Sequence, residues 1–379
     1  MSSFQEFLNV LCSAIAAQDG ATVRQLLRYN SSTAVQAVAE RARKAGWDPT
    51  PECKGVVRRA LGGGSEWEAI LSAHCKCLVE LQAGRTEEAF VQLSSYASNV
   101  NKVFAQDPGL WVVEVMWGLV HNLHDVGYVA DEALRQEKTK RPHCLEACGS
   151  QLQKCFAEAN AGRGNKSKRV AALEIVNVAL KVYFKLNTLR LAKPLINAIN
   201  QMGKVMDFEA FPAAHRIKYK YYIGRLDIFE ERFGEAEQAL EYAFKHCHRS
   251  AQQNKGVIMY YLVPVKMLLG VLPSDALLQR FGLTQYVDFV AALRTGSVKQ
   301  LNDALATNQS QLIQVGTYLL LEKLKMAVYR RLFKRTALLH RETAEPTKAF
   351  HIPIASFRAA LTWQGMDVDD DEHPRFGVK

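Results

Sequence analysis

Val182-Tyr183-Phe184, followed by Leu195 and Ala198, and Asp227-Ile228-Phe229, followed by Leu240 and Ala243, are the stretches that decide the fold. Each reads as a helix ending on aromatic side chains, a tight turn, and a second helix whose large and small apolar positions keep the same register. The copies lie about 45 positions apart, the spacing of stacked helical hairpins, because a hairpin of amphipathic helices can bury its apolar faces only against its neighbours. The echo predicts an all-α chain built as an α-solenoid.

Working outward, apolar residues recur three or four apart through most of the chain, with almost no strand-like alternation before residue 350. Short polar or glycine-containing breaks at Gln18-Asp19-Gly20, Ala83-Gly84-Arg85, Lys185 to Thr188, Arg232-Phe233-Gly234 and Thr295-Gly296-Ser297 are expected hairpin turns. Gly46 to Gly64, with Pro49, Pro51 and Gly62-Gly63-Gly64, reads as a loop, and Gln136 to Pro142 and Ala161 to Arg169 as exposed connections. Val257 to Leu272, broken by Pro264, Lys266 and Gly270, reads as a buried helix pair. Past Arg341 the pattern changes. Glu345-Pro346 ends a long helix, His351-Ile352-Pro353-Ile354 is expected to be extended, Ala355 to Trp363 helical, and Asp367, Asp369, Asp370, Asp371 and Glu372 form an acidic run. A strand, a helix and an acidic turn in that order are how a winged helix begins. The expected divisions are helical repeats over 1–160, further repeats over 170–341, and an incomplete winged-helix segment with an acidic tail over 342–379.

With 379 residues, 48% of them hydrophobic, the chain can build a continuous core and is not expected to be disordered. A formal net charge of +10 favours polyanions or acidic proteins as partners, with binding that weakens in salt. The eight cysteines are scattered, and residues 1–10 lack the basic flank and apolar core of a secretion signal, so a reducing compartment is expected. No apolar run approaches the roughly 20 residues that span a bilayer, and no membrane association is expected.

The blocks Tyr219-Lys220-Tyr221-Tyr222-Ile223-Gly224-Arg225, Ala243 to Arg249, Asn254-Lys255, Tyr261 to Gly270 and Leu321-Glu322-Lys323-Leu324-Lys325 resemble the PCI domain shared by proteasome-lid, signalosome and translation-initiation subunits. The likeness is strongest over Leu173 to Arg335 and turns toward PCI subunits of nuclear mRNA-export assemblies of the TREX-two type. It implies TPR-like helical repeats capped by a winged helix and a non-catalytic scaffold in the nucleus, with the cytoplasm and the nuclear pore as further expected locations. The implied partners are a large export scaffold with its own PCI domain and a small acidic disordered protein shared with the proteasome lid. The alternative is a PCI subunit of a signalosome-like, proteasome-lid-like or splicing-associated complex without direct nucleic-acid binding. The sequence ends His373 to Lys379 where the family carries a recognition helix and β-wing, so the winged helix is expected to be truncated.

Leu319 to Arg341 carries the candidate site. At about 100° per residue, Leu321, Leu324, Val328, Leu332 and Leu339 share one face, while Lys323, Arg330, Lys334 and Arg341 align opposite. Lys325 and Arg335 fall nearer the apolar side and must snorkel. With Arg331, these cations are the expected contacts to RNA or DNA, without sequence preference, since evenly spaced charge suits a phosphate backbone; a solvated face is the plain alternative. Arg163, Lys166, Lys168 and Arg169 form a second basic cluster that could meet phosphate, and Tyr219, Tyr222 and Phe229 read as core rather than as stacking platforms. His74-Cys75-Lys76-Cys77, His143-Cys144 with Cys148 and Cys155, and His246-Cys247-His248 lack repeated zinc spacing and read as buried thiols. Gly62-Gly63-Gly64-Ser65 has no following lysine, and no nucleophile elbow, zinc-protease motif or segregated carboxylate pair is present, so neither an enzyme nor a cofactor is expected.

Overall fold

The computed structural model describes residues 4–42, 46–137, 141–345 and 350–366. It is 80% helical, with no strand among the described residues. The helices are α1 (Phe4–Ala16), α2 (Gly20–Leu26), α3 (Ser32–Ala42), α4 (Thr50–Leu61), α5 (Trp67–Gln82), α6 (Thr86–Gln106), α7 (Trp111–Glu137), α8 (Cys144–Ala161), α9 (Ala172–Leu186), α10 (Ala192–Met202) and α11 (Ala213–Phe229). They continue with α12 (Phe233–His246), α13 (Gln252–Leu268), α14 (Asp275–Arg280), α15 (Val287–Thr295), α16 (Val298–Val315), α17 (Tyr318–Glu322), α18 (Leu324–Thr343) and α19 (Ile354–Trp363). Two compact units emerge, 1–222 and 223–379.

Within the first unit α5 packs on α6, α6 on both α7 and α8, and α9 on both α7 and α8, the neighbour and next-neighbour pattern of stacked hairpins. Both halves of the 45-residue echo are buried where they matter, at Val182, Tyr183 and Leu195 and at Ile228, Leu240 and Ala243. The turns follow from local chemistry. Asp19 caps α2 by accepting from the Thr22 amide at 3.1 Å, and Asn187 ends α9 in the left-handed region at φ 55°, which asparagine tolerates. At Gly20 a Cβ would lie 2.2 Å from the Trp111 carbonyl oxygen, so only glycine allows α2 to meet the start of α7 this closely.

Four expectations need correction. Thr50–Leu61 is a helix, not a loop: its proline sits in the first turn, where no intrahelical donor is needed, and Cys53, Val56 and Val57 bury one face. Val257 to Leu268 belongs to a single helix, α13, with Pro264 inside it. Proline cannot donate to the Tyr260 carbonyl, and the Tyr286 hydroxyl does so instead at 2.8 Å. The connection after α8 winds into a 3-10 helix, Lys166–Ala171, with Lys168 fully buried rather than exposed. No strand forms over His351 to Pro353, where the described residues hold no second strand to pair with and Pro353 leads directly into α19. The acidic run beyond Met366 lies outside the described residues, as do Pro346 and part of the connection before Pro142.

The first unit is pinned by a buried carboxylate. Glu174 on α9, 1% exposed, receives Lys218 Nζ of α11 at 2.6 Å, His121 Nε2 of α7 at 2.9 Å and Asn177 Nδ2 at 3.1 Å. Asn177 also donates to the His215 carbonyl at 2.9 Å. Burial alone would raise the Glu174 pKa, but the His121 hydrogen bond and the neighbouring His215 and Lys218 charges outweigh it and hold the carboxyl at about 2. Burial pushes His215 and His74 the other way, down to about 4, so both are neutral in the folded chain near pH 7. Asp131 of α7 caps α8 by accepting from the Cys144 and Leu145 amides at 2.8 and 3.1 Å. All eight cysteines are buried free thiols, among them the six of the three His/Cys clusters read so from the sequence, and the Cys53 and Cys75 Sγ atoms are 3.8 Å apart.

Replacing Glu174 with Ala leaves Lys218 and Asn177 facing a vacated buried position and should lower unfolding free energy by about 3 kcal/mol in urea titration. Tyr286→Phe orphans the Tyr260 carbonyl and should cost about 1–3 kcal/mol in the same assay. The histidines set the acid response. Their folded pKa values lie below the unfolded ones, so the unfolded chain takes up protons first and stability falls as pH drops from about 6.5 to about 4. Glu174, also depressed, adds a further loss between pH 4.5 and about 2. Thermal melts across this range should show the midpoint falling, and His74→Phe should flatten the upper part of the fall.

Candidate nucleic-acid interface

The segment expected as one helix is divided at Lys323 into α17 and α18. The break hardly disturbs the phase, because Lys323 keeps helical angles of φ −60° and ψ −20° and its amide still reaches the Leu319 carbonyl at 3.3 Å. Leu321, Leu324, Val328 and Leu332 are therefore all buried on one stripe. Leu339 is not: it is 61% exposed, because α18 runs on past the end of α15, against which the stripe packs.

The cations of this segment divide into two sets. Arg331 Nε donates to the Arg294 carbonyl at 3.2 Å and Arg335 donates to the Thr295 carbonyl at 2.8 Å, so both close the C-terminus of α15. Such an end presents unpaired carbonyls and a partial negative charge, which arginine satisfies on both counts. Gly296, at φ 78°, makes the approach possible: a Cβ there would lie 2.8 Å from the Leu332 amide nitrogen. Lys323 pairs with Glu231 at 2.9 Å, an exposed contact worth little. Arg341 lies over the Phe350 ring at 4.9 Å.

Lys325, Arg330 and Lys334 have no ion pair or hydrogen bond among the described residues. Arg330, Lys334 and Arg341 are exposed and share a face spanning roughly 16 Å of helix axis. The sequence alignment of this face is thus a geometric fact, while Arg331 and Arg335 face the α15–α16 turn. The glycine at position 296 was the sequence signal for that contact, since a left-handed turn residue admits close approach of a second backbone.

Two of the four cations of the second basic cluster are engaged. Lys168 Nζ donates to the Phe104 and Asp107 carbonyls at the end of α6, the latter at 2.9 Å, and Arg169 Nε to the Asn160 carbonyl near the end of α8 at 2.9 Å. Tyr219 is buried and Tyr222 stacks on Phe184 at 5.8 Å, in keeping with core packing. Phe229 is 49% exposed and, with Ile313 and Leu319, lines an apolar cleft of about 380 Å³ beside Lys323. Sequence reasoning missed this cleft, whose lining comes from three separate helix ends. No group of three or more histidine, cysteine, aspartate or glutamate side chains is placed to hold a metal among the described residues. No helix among the described residues is long and apolar enough to cross a membrane.

No protein-family model matches the chain. Individual relatives do. It is 33% identical over 367 residues to Enhanced ethylene response protein 5 of Arabidopsis thaliana, covering 97% of this chain and 86% of the relative. It is 31% identical over 376 residues to PCI domain-containing protein 2 of Danio rerio, covering 98% and 89%. The PCI domain-containing protein 2 homolog of Drosophila melanogaster is 34% identical over 313 residues, covering 80% and 76%. With identities of 31–33% over nearly its whole length, the chain belongs to the PCI domain-containing protein 2 family.

Proposed function

We propose that this chain is a non-catalytic scaffold subunit of a nuclear mRNA-export complex of the TREX-two type, and that α18 contributes a nonspecific RNA or DNA contact. The observation that carries the reading is the face of α18 on which Arg330 and Lys334 stand exposed without partners, in a chain of this family. Neutralising phosphates there would release counterions, which gives affinity without reading bases. Arg341 extends the same strip, and Arg331 and Arg335 hold the helix against the α15–α16 turn.

The protein partners follow from the same chemistry. A helical scaffold of net charge +10 attracts acidic chains, and the cleft at Phe229, Ile313 and Leu319 would accept an aromatic anchor from a small acidic disordered protein. A large scaffold with its own PCI domain is the second partner. Affinity purification from nuclear extract should recover both. Recovery of signalosome or proteasome-lid subunits without export proteins would favour the other branch of PCI assemblies.

The nucleic-acid contact is tested by fluorescence anisotropy with single-stranded RNA at two salt concentrations. Reversing Arg330 and Lys334 to Glu should weaken binding at least about tenfold at low salt and reduce the slope of log K against log salt by about 1.4, at roughly 0.7 per phosphate contact. The fold should be unchanged by circular dichroism. Equal affinity for wild type and variant would make the strip a solvated surface.

A further inference from the structure

In the first unit, α6 and α8 lie side by side and their C-terminal halves leave a cleft of about 490 Å³. Asn101 and Lys102 line it from α6, Lys154 and Glu158 from α8, and Arg163 from the turn after α8. Two helix C-termini so near would give the cleft a negative potential, and anions would avoid it. Lys168 and Arg169 cancel that potential through their bonds to the Phe104, Asp107 and Asn160 carbonyls. The three cations on the cleft wall are then left over.

They are weakly committed. Lys154 has no ion pair or hydrogen bond among the described residues. Lys102 reaches Glu66 only at 3.4 Å, and Arg163 stands 3.9 Å from Glu158 with its side chain 68% exposed. The wall also carries acceptors that take no hydrogen bond among the described residues, Asn101 Oδ1 and Glu158 Oε2, the latter having only Arg163 Nε at 3.9 Å. An acceptor in that condition costs free energy until a donor arrives. The cleft thus asks for negative charge and for hydroxyl or amino hydrogens in one molecule. Its volume lies in the range of small-molecule sites and exceeds what a lone phosphate would fill.

We propose that this cleft binds a small phosphate ester of the nucleotide class, its phosphates against Lys102, Lys154 and Arg163 and its sugar hydroxyls toward Glu158 and Asn101. The site is built from first-unit residues alone and is argued independently of the nucleic-acid reading. No covalent step is involved; binding alone is claimed.

Calorimetric titration of the full chain with ADP at low salt tests it. One site should fill, and Lys154→Glu with Arg163→Glu should weaken it at least about tenfold. Lys154→Gln with Arg163→Gln should give an intermediate loss and guards against a misfolded reversal. The Arg330→Glu and Lys334→Glu pair should leave ADP binding unchanged. Adenosine and inorganic phosphate, each meeting half of the site, should each bind at least about tenfold more weakly than ADP. Absence of ADP binding, or binding equal in wild type and the folded double reversal, overturns the proposal. Competitive displacement of ADP by single-stranded RNA also overturns it, since the occupant would then be a polynucleotide backbone.

Discussion

A stack of short helices is a stack of helix ends, and each end leaves carbonyls that must find donors before the next hairpin can close over them. In this chain lysine and arginine supply those donors repeatedly. Lys168 closes α6, Arg169 the end of α8, Lys255 donates to the Phe244 carbonyl near the end of α12 at 3.0 Å, and Arg331 and Arg335 close α15. Each cation also meets the negative end of a helix dipole, so one side chain serves hydrogen bonding and electrostatics together. Without these caps the neighbouring helices could pack only by burying bare carbonyls, at a cost of about 1–3 kcal/mol each.

This constraint changes how the net charge is to be understood. Forty-eight lysines and arginines against thirty-eight acids suggest a surface made for polyanions, yet several of the cations in the two basic clusters belong to the scaffold. What remains for partners is smaller and better defined: Lys325, Arg330, Lys334 and Arg341 along α18, and Lys102, Lys154 and Arg163 around the α6–α8 cleft. The buried anions follow the same economy in mirror image. Glu174 collects donors from α7, α9 and α11, and Asp131 serves the first amides of α8.

Much of this was legible in the sequence. The apolar period and the echo between Val182 and Phe229 carry the solenoid, because periodicity is a property of burial and burial is what the sequence encodes most redundantly. The buried stripe of α18 was readable up to Leu332 for the same reason, and the opposed positions of Arg330 and Lys334 came with it. Tertiary partners were not. Leu339 fits the stripe by angle and is exposed because α15 ends first. Thr50–Leu61 looked like a loop because Pro49, Pro51 and Gly62-Gly63-Gly64 bracket it, and these stand at the two ends of a helix. Pro264 looked like a break because nothing in the local sequence shows that Tyr286, far along the chain, will replace the missing donor. The roles of Lys168, Arg331 and Arg335 were hidden for that reason too: a lysine or arginine next to a turn reads the same whether it faces water or a carbonyl.

The division of cations into caps and free contacts is the central claim, and amine-reactive footprinting of the folded chain by mass spectrometry tests it most directly. Lys334 and Lys154 should be modified quickly and Lys168 protected until the fold is unfolded by urea, because its Nζ is enclosed and bonded to two carbonyls. Added single-stranded RNA should protect Lys334 and leave Lys154 reactive. Modification of Lys168 in the folded chain at the rate of Lys334 would contradict the account, because the basic side chains would then be equivalent surface charges.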